Sequence, residues 1–146
     1  MQVAGKDGMP VANLATCTIG CLDKVATVGP RRAPMLSVKA FLDELSLLSQ
    51  QVNGPWAILG DFNLTLRPSD RSNANFNAAD AARFSSCLSS LHLIEIPLLG
   101  KSFTWSNQQS SPILVRLDRA FINHDWSSFF PNSTLSFLPR STSDHS

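Results

Sequence analysis

The chain contains no tyrosine, only three cysteines and almost no excess of charge of either sign. Its 12 basic and 11 acidic residues leave a net charge of +1, so no overall field attracts it to nucleic acid or to a membrane surface. Any site for a polyanion must therefore be local. The sequence also lacks an apolar run long enough to span a membrane, and residues 1–30 lack the apolar core of a signal peptide. These absences predict an intracellular protein.

The low cysteine content excludes a fold that disulfides hold together. Three cysteines cannot all pair, and the three histidines are not spaced to complete a zinc site with them. Cys17 and Cys21 could bind a metal as a pair, but no second pair of ligands accompanies them, so we expect reduced and mostly buried thiols. A hydrophobic content of 43% is enough for a core, which predicts one globular domain or part of one.

Helical patterns appear after residue 36. Apolar residues at helical spacing predict a helix that starts near Ser37 and ends before Asn53-Gly54-Pro55. A second helix is predicted after Asn77, whose side chain can cap it, and "HDWSSFF" predicts a short helical turn. The apolar stripes of the two longer helices are Val38, Phe41, Leu42, Leu45, Leu48 and Val52, and Ala81, Phe84, Leu88 and Leu91.

Strand-like patterns alternate with these helices, which indicates a layered arrangement of helices and sheet. Short apolar or alternating runs predict strands at residues 56–60, 103–107, 113–122 and 133–139. Residues 1–35, by contrast, contain many glycines and prolines and show little periodicity. We therefore expect a poorly ordered or divergent N-terminal segment, followed by a domain at residues 36–146.

The stretch "WAILGDFNLTL" ends a buried strand on a carboxylate and an amide. Gly60 allows the backbone a close approach where the strand ends, and Asp61 and Asn63 follow it one residue apart. In extended geometry alternate side chains share a face, so both polar groups would point the same way while Phe62 turns back to anchor them. The alternative is an ordinary turn, because Gly, Asp and Asn commonly end strands.

Further acidic positions lie near the C-terminus. Asp118 lies inside an apolar strand pattern, and Asp144-His145 follows another. A charge inside such a strand is costly unless it is paired. Arg116 or Arg119 could pair with Asp118, which would make Asp118 a structural residue. A histidine is the other candidate partner, because a carboxylate that accepts from one imidazole nitrogen fixes the tautomer and raises the basicity of the other nitrogen.

Four motifs in this order, "ILGDFN", "FTWSN", "RLDRAFIN" and "SDHS", resemble the endonuclease/exonuclease/phosphatase superfamily. Within it, the pattern is most similar to the endonuclease domain of plant LINE-type (non-LTR) retrotransposon polyproteins. The resemblance covers residues 56–146. It implies an α+β fold, here a partial four-layer α/β/β/α sandwich, with the active site at the edge where loops of both sheets converge. It also implies DNA phosphodiester hydrolysis with Mg²⁺ or Mn²⁺ and a nuclear location. From the sequence itself we expect no membrane and no obligate protein partner.

The resemblance also implies a role for each of five residues. Asp61 would orient or deprotonate the attacking water and bind the metal, and Asn63 would hydrogen-bond the phosphate or the leaving group. His145 would contact the phosphate and stabilise its developing charge. Asp118 would orient that histidine, and Asp144 would lie beside the metal. A hard cation and preorganised donors are what a pentacoordinate phosphate requires.

The chain departs from the family pattern at both ends. No counterpart is recognisable for the opening strands that carry the family's catalytic asparagine and metal-binding glutamate. The nearest relative of the family's "NVYGP" is "ATVGP", which lacks the tyrosine. We therefore expect a truncated copy with weak metal affinity, unless Asp23 or Asp70 replaces the glutamate. The alternative is a non-catalytic retroelement remnant with at most weak binding to nucleic acid.

Overall fold

The computed structural model describes residues 37–136, together with the backbone of residues 2–4 and 25–28. The helices in these ranges are α1 (Val38–Ser49), α2 (Ala78–Ser90) and α3 (His124–Phe129), and a short 3₁₀ turn occupies Pro68–Asp70. The strands are β1 (Gln2–Ala4), β2 (Val25–Val28), β3 (Ala57–Asp61), β4 (Ile94–Glu95), β5 (Leu98–Leu99), β6 (Trp105–Ser106), β7 (Leu114–Val115), β8 (Asp118–Ile122) and β9 (Thr134–Ser136). Within this part of the chain, no helix is both long and apolar enough to cross a lipid bilayer.

The strands form two sheets and a separate hairpin. One sheet has the order β2-β3-β8-β4, the other has the order β1-β9-β5, and β6 pairs with β7. In the four-stranded sheet, β3 runs parallel to β2 and antiparallel to β8. The segment "ATV" of the "ATVGP" motif therefore lies beside the strand that carries Asp61.

Two apolar clusters cover the two faces of the four-stranded sheet. On one face, Ile58 and Phe121 pack against residues of α1 and α2, Phe84 among them. On the other face, Leu59 packs in a cluster with Leu135 of β9. The helices thus cover one side of the sheet and the second sheet covers the other side. This layering of helices and two sheets confirms the predicted α+β class.

Local sequence explains both long helices. The Ser37 side chain accepts a hydrogen bond from the Ala40 N–H (3.2 Å), and the Asn77 side chain accepts one from the Asp80 N–H (3.0 Å). Each bond satisfies a backbone donor that has no partner inside the first turn. The predicted apolar stripes face the core, although α1 ends before Val52, the last position of its stripe. Both helices are therefore confirmed.

The predicted strand 113–122 is divided into β7 and β8 by residues 116–117. There the Leu117 N–H donates to Thr104 Oγ1 (2.9 Å), and the Leu117 carbonyl accepts from the Phe62 N–H (3.1 Å). Because these partners lie outside the strand ladder, regular pairing is interrupted at this point. The prediction of one continuous strand is wrong for this reason.

The other predicted strands exist but are shorter or shifted. β3 begins and ends one residue later than the predicted strand 56–60, and β6 occupies two residues of the predicted strand 103–107. β9 lies inside the predicted strand 133–139, whose last three residues are outside the described ranges. The domain boundary after residue 35 stays a prediction. β1 and β2 fall in the predicted N-terminal segment and pair with β9 and β3, respectively.

Asn123 connects the C-terminal end of β8 to the chain that enters β3. Its Oδ1 accepts from the N–H groups of Trp56 and Trp126 (2.9 Å each), and its Nδ2 donates to the Gly54 carbonyl (2.9 Å). The same side chain caps α3. α3 therefore lies at the end of β8 that is opposite to Asp118.

Of the cysteines, Cys87 is within the described residues and Cys17 and Cys21 are not. Cys87 is a half-buried free thiol whose Sγ lies 3.8 Å from Ser46 Oγ. Burial raises the pKa of this thiol above its usual value. It is therefore protonated at neutral pH, as expected of a structural cysteine rather than a nucleophile.

Candidate active site

Asp61 and Asp118 lie directly opposite each other at the edge formed by the ends of β3 and β8, the two central strands of the four-stranded sheet. Asp61 is the last residue of β3, Asp118 is the first residue of β8, and the two are register partners in the antiparallel ladder. Side chains of opposed residues in such a ladder leave the sheet on the same face. The structure thus brings together two of the predicted site residues, which are 57 positions apart in the sequence.

The surroundings of Asp61 disfavour its charged form. Asp61 is partly buried, and this burial is the main reason why its pKa lies above the usual aspartate value. A hydrogen bond from the Asn63 N–H acts in the opposite direction, and the charge of Asp118 raises the pKa further. A carboxylate in this position gains from a proton or from a nearby cation.

Asn63 forms a turn rather than continuing the strand. Its φ of +51° is in the left-handed region, which asparagine tolerates better than most residues. The Asn63 N–H donates to Asp61 Oδ1 (2.9 Å), and the Asn63 side chain is exposed. The expectation that Asp61 and Asn63 share a face through extended geometry is therefore wrong. The alternative of a turn at the strand end is correct. In this turn a backbone N–H group, that of Asn63, fixes the Asp61 carboxylate.

Phe62 anchors this strand end in the core. Its ring is 4% exposed and lies 5.1 Å from the ring of Phe121 and 5.5 Å from that of Phe84, measured between centroids. Aromatic pairs at such separations add to the stabilisation that burial provides. The side chain therefore turns into the helix-facing cluster, and the flanking Asp61 and Asn63 stay at the rim.

Thr104, the residue before β6, binds the backbone at the start of β8. Its Oγ1 accepts from the Leu117 N–H (2.9 Å) and from the Asp118 N–H (3.0 Å), and its own N–H donates to the Val115 carbonyl (2.9 Å). Sequence reasoning singled out the motif "FTWSN" but did not assign a role to its threonine. A threonine hydroxyl inside a strand motif is the signal that could have indicated it.

Trp105 lies in the same motif and is exposed. Its side chain is 47% accessible and lines a shallow groove with Lys101–Ser106 and Leu114. An exposed aromatic ring beside an open groove is available to a ligand.

The predicted arginine partners of Asp118 pair with other carboxylates. Arg119 contacts Glu95 Oε1 through Nη1 (2.7 Å) and Asp70 Oδ2 through Nη2, and Arg116 Nη2 lies 2.9 Å from the same Glu95 oxygen. Alternation along β8 explains this result, because Asp118 and Arg119 leave the sheet on opposite faces. The prediction of an ion pair between Asp118 and either arginine is wrong within residues 37–136.

Asp70, one of the two residues considered as a replacement for the metal-binding glutamate, is buried and bonded to other groups. It is 5% exposed, and its Oδ2 accepts from the N–H groups of Leu66 (2.7 Å) and Arg67 (2.9 Å) as well as from Arg119. The guanidinium of Arg119 already neutralises this buried carboxylate, which weakens its attraction for a cation. These contacts disfavour the hypothesis that Asp70 belongs to a rearranged metal site.

Within residues 37–136, the candidate metal ligands are the carboxylates of Asp61 and Asp118. Asp23, Asp144 and His145 lie outside the described residues. Residues 37–136 contain no group of three histidine, cysteine, aspartate or glutamate side chains that could hold a metal ion. The two opposed carboxylates fit one side of a site for a hard divalent cation, because such a cation would offset their repulsion.

Asp61→Asn is expected to stabilise the fold at neutral pH. The amide keeps an oxygen that accepts from the Asn63 N–H, and it removes a partly buried charge opposite Asp118. Like charges that oppose each other across strands cost up to about 1 kcal/mol, so we expect a gain of about 0.5 kcal/mol in the free energy of unfolding.

This gain should depend on pH. Because the pKa of Asp61 is raised on folding, the parent loses stability as pH rises from the ordinary aspartate value through the raised one. Thermal melts of both proteins should therefore diverge as pH increases from about 4 to about 8. Asp125→Asn, which removes an exposed carboxylate in α3, is the matched control and should give no such gain. A gain that is the same at every pH would contradict the electrostatic explanation.

A solved structure shares this fold. It is described as the endonuclease domain of TRAS1, a telomere-specific non-LTR retrotransposon, and it matches with a TM-score of 0.54 at 14% sequence identity. The match covers 69% of this chain and 44% of that chain, so this chain spans less than half the length of that structure. At such low identity the similarity shows the fold, and it confirms the predicted fold class.

Comparison at the level of sequence gives the family. None of the curated proteins matches the chain. Residues 5–145, however, match the sequence profile of the Endonuclease/Exonuclease/phosphatase family, which is nearly the whole chain. The matched range contains the strand-end motif with Asp61 and the motif with Asp118. The chain therefore belongs to the endonuclease/exonuclease/phosphatase family.

Proposed function

We propose that this chain hydrolyses DNA phosphodiesters with a divalent cation, as the endonuclease of a retrotransposon. The observation that carries the proposal is the pair of carboxylates, Asp61 and Asp118, which oppose each other at the ends of the two central strands of the sheet. The family comprises nucleases and phosphatases, so hydrolysis of a phosphate ester is the shared chemistry. Two acidic groups at one edge suit this chemistry because one can bind a cation or a proton while the other orients a partner.

A nuclease of the retrotransposon type is supported over a phosphatase by three observations. The motifs "FTWSN" and "LDRAFIN" resemble those of plant LINE-type endonucleases. The solved structure with the similar fold is itself a retrotransposon endonuclease domain. A groove with the exposed Trp105 beside the motif also suits an extended substrate with stackable bases. The proposed substrate is therefore DNA, and the proposed location is the nucleus.

The proposed mechanism gives a separate role to each site residue. Mg²⁺ or Mn²⁺, bound by Asp61 and Asp144, would supply neutralising charge to the phosphate. Asp61 accepts the proton of the attacking water, a role that its raised pKa favours. Asp118 orients the imidazole of His145, which donates to a phosphate oxygen. Asn63, at the exposed turn, hydrogen-bonds the phosphate or the leaving group.

The experiment that tests these roles is conversion of supercoiled plasmid to open circles. With Mg²⁺ or Mn²⁺ the parent should nick the plasmid, and a chelator should stop the reaction. His145→Ala should lower the rate by about 1,000-fold, because it deletes a donor to the charged transition state. Asp118→Asn should lower it by only about 10–100-fold, because the imidazole is misoriented but present.

The control for this series is His124→Ala. His124 is exposed at the start of α3, at the opposite end of β8 from Asp118, so its removal should leave the rate unchanged. Equal nicking by His145→Ala and the parent would refute the assigned roles. A parent that nicks with neither cation would favour the non-catalytic remnant, the alternative function.

A further inference from the structure

Behind the candidate active site lies a group of four charged residues that we call the buried charge cluster: Asp70, Glu95, Arg116 and Arg119. All four side chains are at least four-fifths buried, and the side chain of Arg119 is 1% exposed. Two positive and two negative charges make the cluster neutral. It therefore needs no external ion, and its charge does not offset that of Asp61 and Asp118.

Asp70 joins the loop that follows Asn63 to the chain that leads into β8. Its carboxylate accepts from the backbone N–H groups of Leu66 and Arg67, which closes the 3₁₀ turn on itself. Its carbonyl accepts from the Arg116 N–H (2.8 Å), two residues before Asp118. One residue thus connects two segments that both end at the site.

Arg119 connects the same loop to the sheet. Its guanidinium binds Asp70 through Nη2 and Glu95 of β4 through Nη1. In the ladder, Arg119 lies opposite Gly60, the residue before Asp61. Gly60 has a φ of +149°, which residues with a side chain rarely adopt. Arg119 is therefore paired across the ladder with a backbone position that favours glycine.

Four hydrogen bonds fix the backbone that leads into Asp118. The Arg116 N–H bonds to the Asp70 carbonyl, the Leu117 carbonyl accepts from Phe62, and Thr104 Oγ1 accepts from the N–H groups of Leu117 and Asp118. These are the bonds that divide β7 from β8. The position at which β8 starts, and with it the side chain opposite Asp61, depends on this bend.

We infer that Asp70 and Arg119 are positioning residues, which hold the bend at residues 116–117 so that Asp118 stands opposite Asp61. The inference deepens the proposed function and rests on it for the catalytic effect. A buried ion pair frequently adds little stability compared with apolar side chains of similar volume. Stability alone therefore does not explain well why the chain has buried ion pairs at this position. The need to place Asp118 opposite Asp61 is a more specific explanation.

The double variant Asp70→Asn with Arg119→Met separates positioning from stability. Both charges of the pair are removed together, so no unpaired charge stays buried between them. The asparagine oxygen can still accept from the loop N–H groups, and Glu95 keeps its ion pair with Arg116. We expect a folded protein whose kcat for DNA nicking falls by about 10–100-fold while KM changes by less than about twofold.

Amide hydrogen exchange gives a second measurement that does not require activity. In the double variant the amides of Leu117 and Asp118 should exchange about tenfold faster than in the parent, while the core amide of Phe121 should not change. Leu45→Val, a substitution in the core of α1, is the control for general loss of stability. Leu45→Val should leave kcat unchanged. If its amides exchange faster, the increase should extend beyond the amides of Leu117 and Asp118.

The two measurements distinguish failure of this inference from failure of the proposed function. A double variant that nicks DNA at the parental rate would overturn the positioning role. If the parent itself does not nick DNA, the proposed function fails and exchange alone decides the positioning role. Faster exchange confined to Leu117 and Asp118 would then support it, and unchanged exchange at both amides would overturn it.

Discussion

Asp61→Ala is expected to abolish metal-dependent nicking of DNA while the protein keeps its fold. The substitution deletes the proposed proton acceptor and metal ligand in one step, and the side chain does not belong to either apolar cluster. Loss of a group that acts on the transition state in this way lowers the rate by at least about 1,000-fold. Removal of the charge opposite Asp118 should also relieve a repulsion, so the fold should not lose stability on that account.

The measurement is the rate of plasmid nicking at a saturating concentration of Mg²⁺, together with a thermal melt of each protein. Asp125→Ala is the matched control, since it removes an exposed aspartate from α3, which follows the far end of β8. The control should nick at the parental rate. Parental activity in Asp61→Ala would show that the reaction does not pass through this edge of the sheet, and an unfolded Asp61→Ala would show that the residue is structural.

The helices were predictable because the signals that define them are local. Ser37 and Asn77 cap the helices that begin at the next residue, and the apolar stripes lie within each helix. The interruption at residues 116–117 was not predictable in this way. It depends on hydrogen bonds to Thr104 and Phe62, which are far away in the sequence. Contacts between distant segments override the alternating pattern of a strand.

The candidate site shows the same division. The motifs identified Asp61 and Asp118, and the ladder register places them opposite each other. The partners of Arg119 could not be predicted, because Asp70 is 49 residues away and Glu95 is 24 residues away. An arginine next to an aspartate in the sequence suggests a local ion pair. In a strand, however, adjacent side chains point to opposite faces of the sheet. The side chains of Arg119 and Asp118 therefore lie on different faces and do not pair.

Arg119→Met is expected to be the most destabilising single substitution considered for this chain. It removes the cation from a buried cluster and leaves the Asp70 carboxylate buried without a counter-charge. Breaking a buried pair by removing one partner costs about 3–5 kcal/mol. Since a domain of this size has a total stability of about 5–15 kcal/mol, the variant should lose a large fraction of its stability.

Urea unfolding at neutral pH measures this loss, with Arg83→Met as the matched control. Arg83 forms an exposed ion pair with Asp80, with Nη1 to Oδ1 at 2.9 Å and 64% of the arginine side chain accessible. Exposed pairs contribute about 0–1 kcal/mol, so the two arginine variants should differ by several kcal/mol although they make the same chemical change. Adding Asp70→Asn to Arg119→Met should recover part of the loss, because the orphaned charge disappears. If Arg119→Met and Arg83→Met unfold at the same urea concentration, the burial of the Arg119 pair does not govern its contribution to stability.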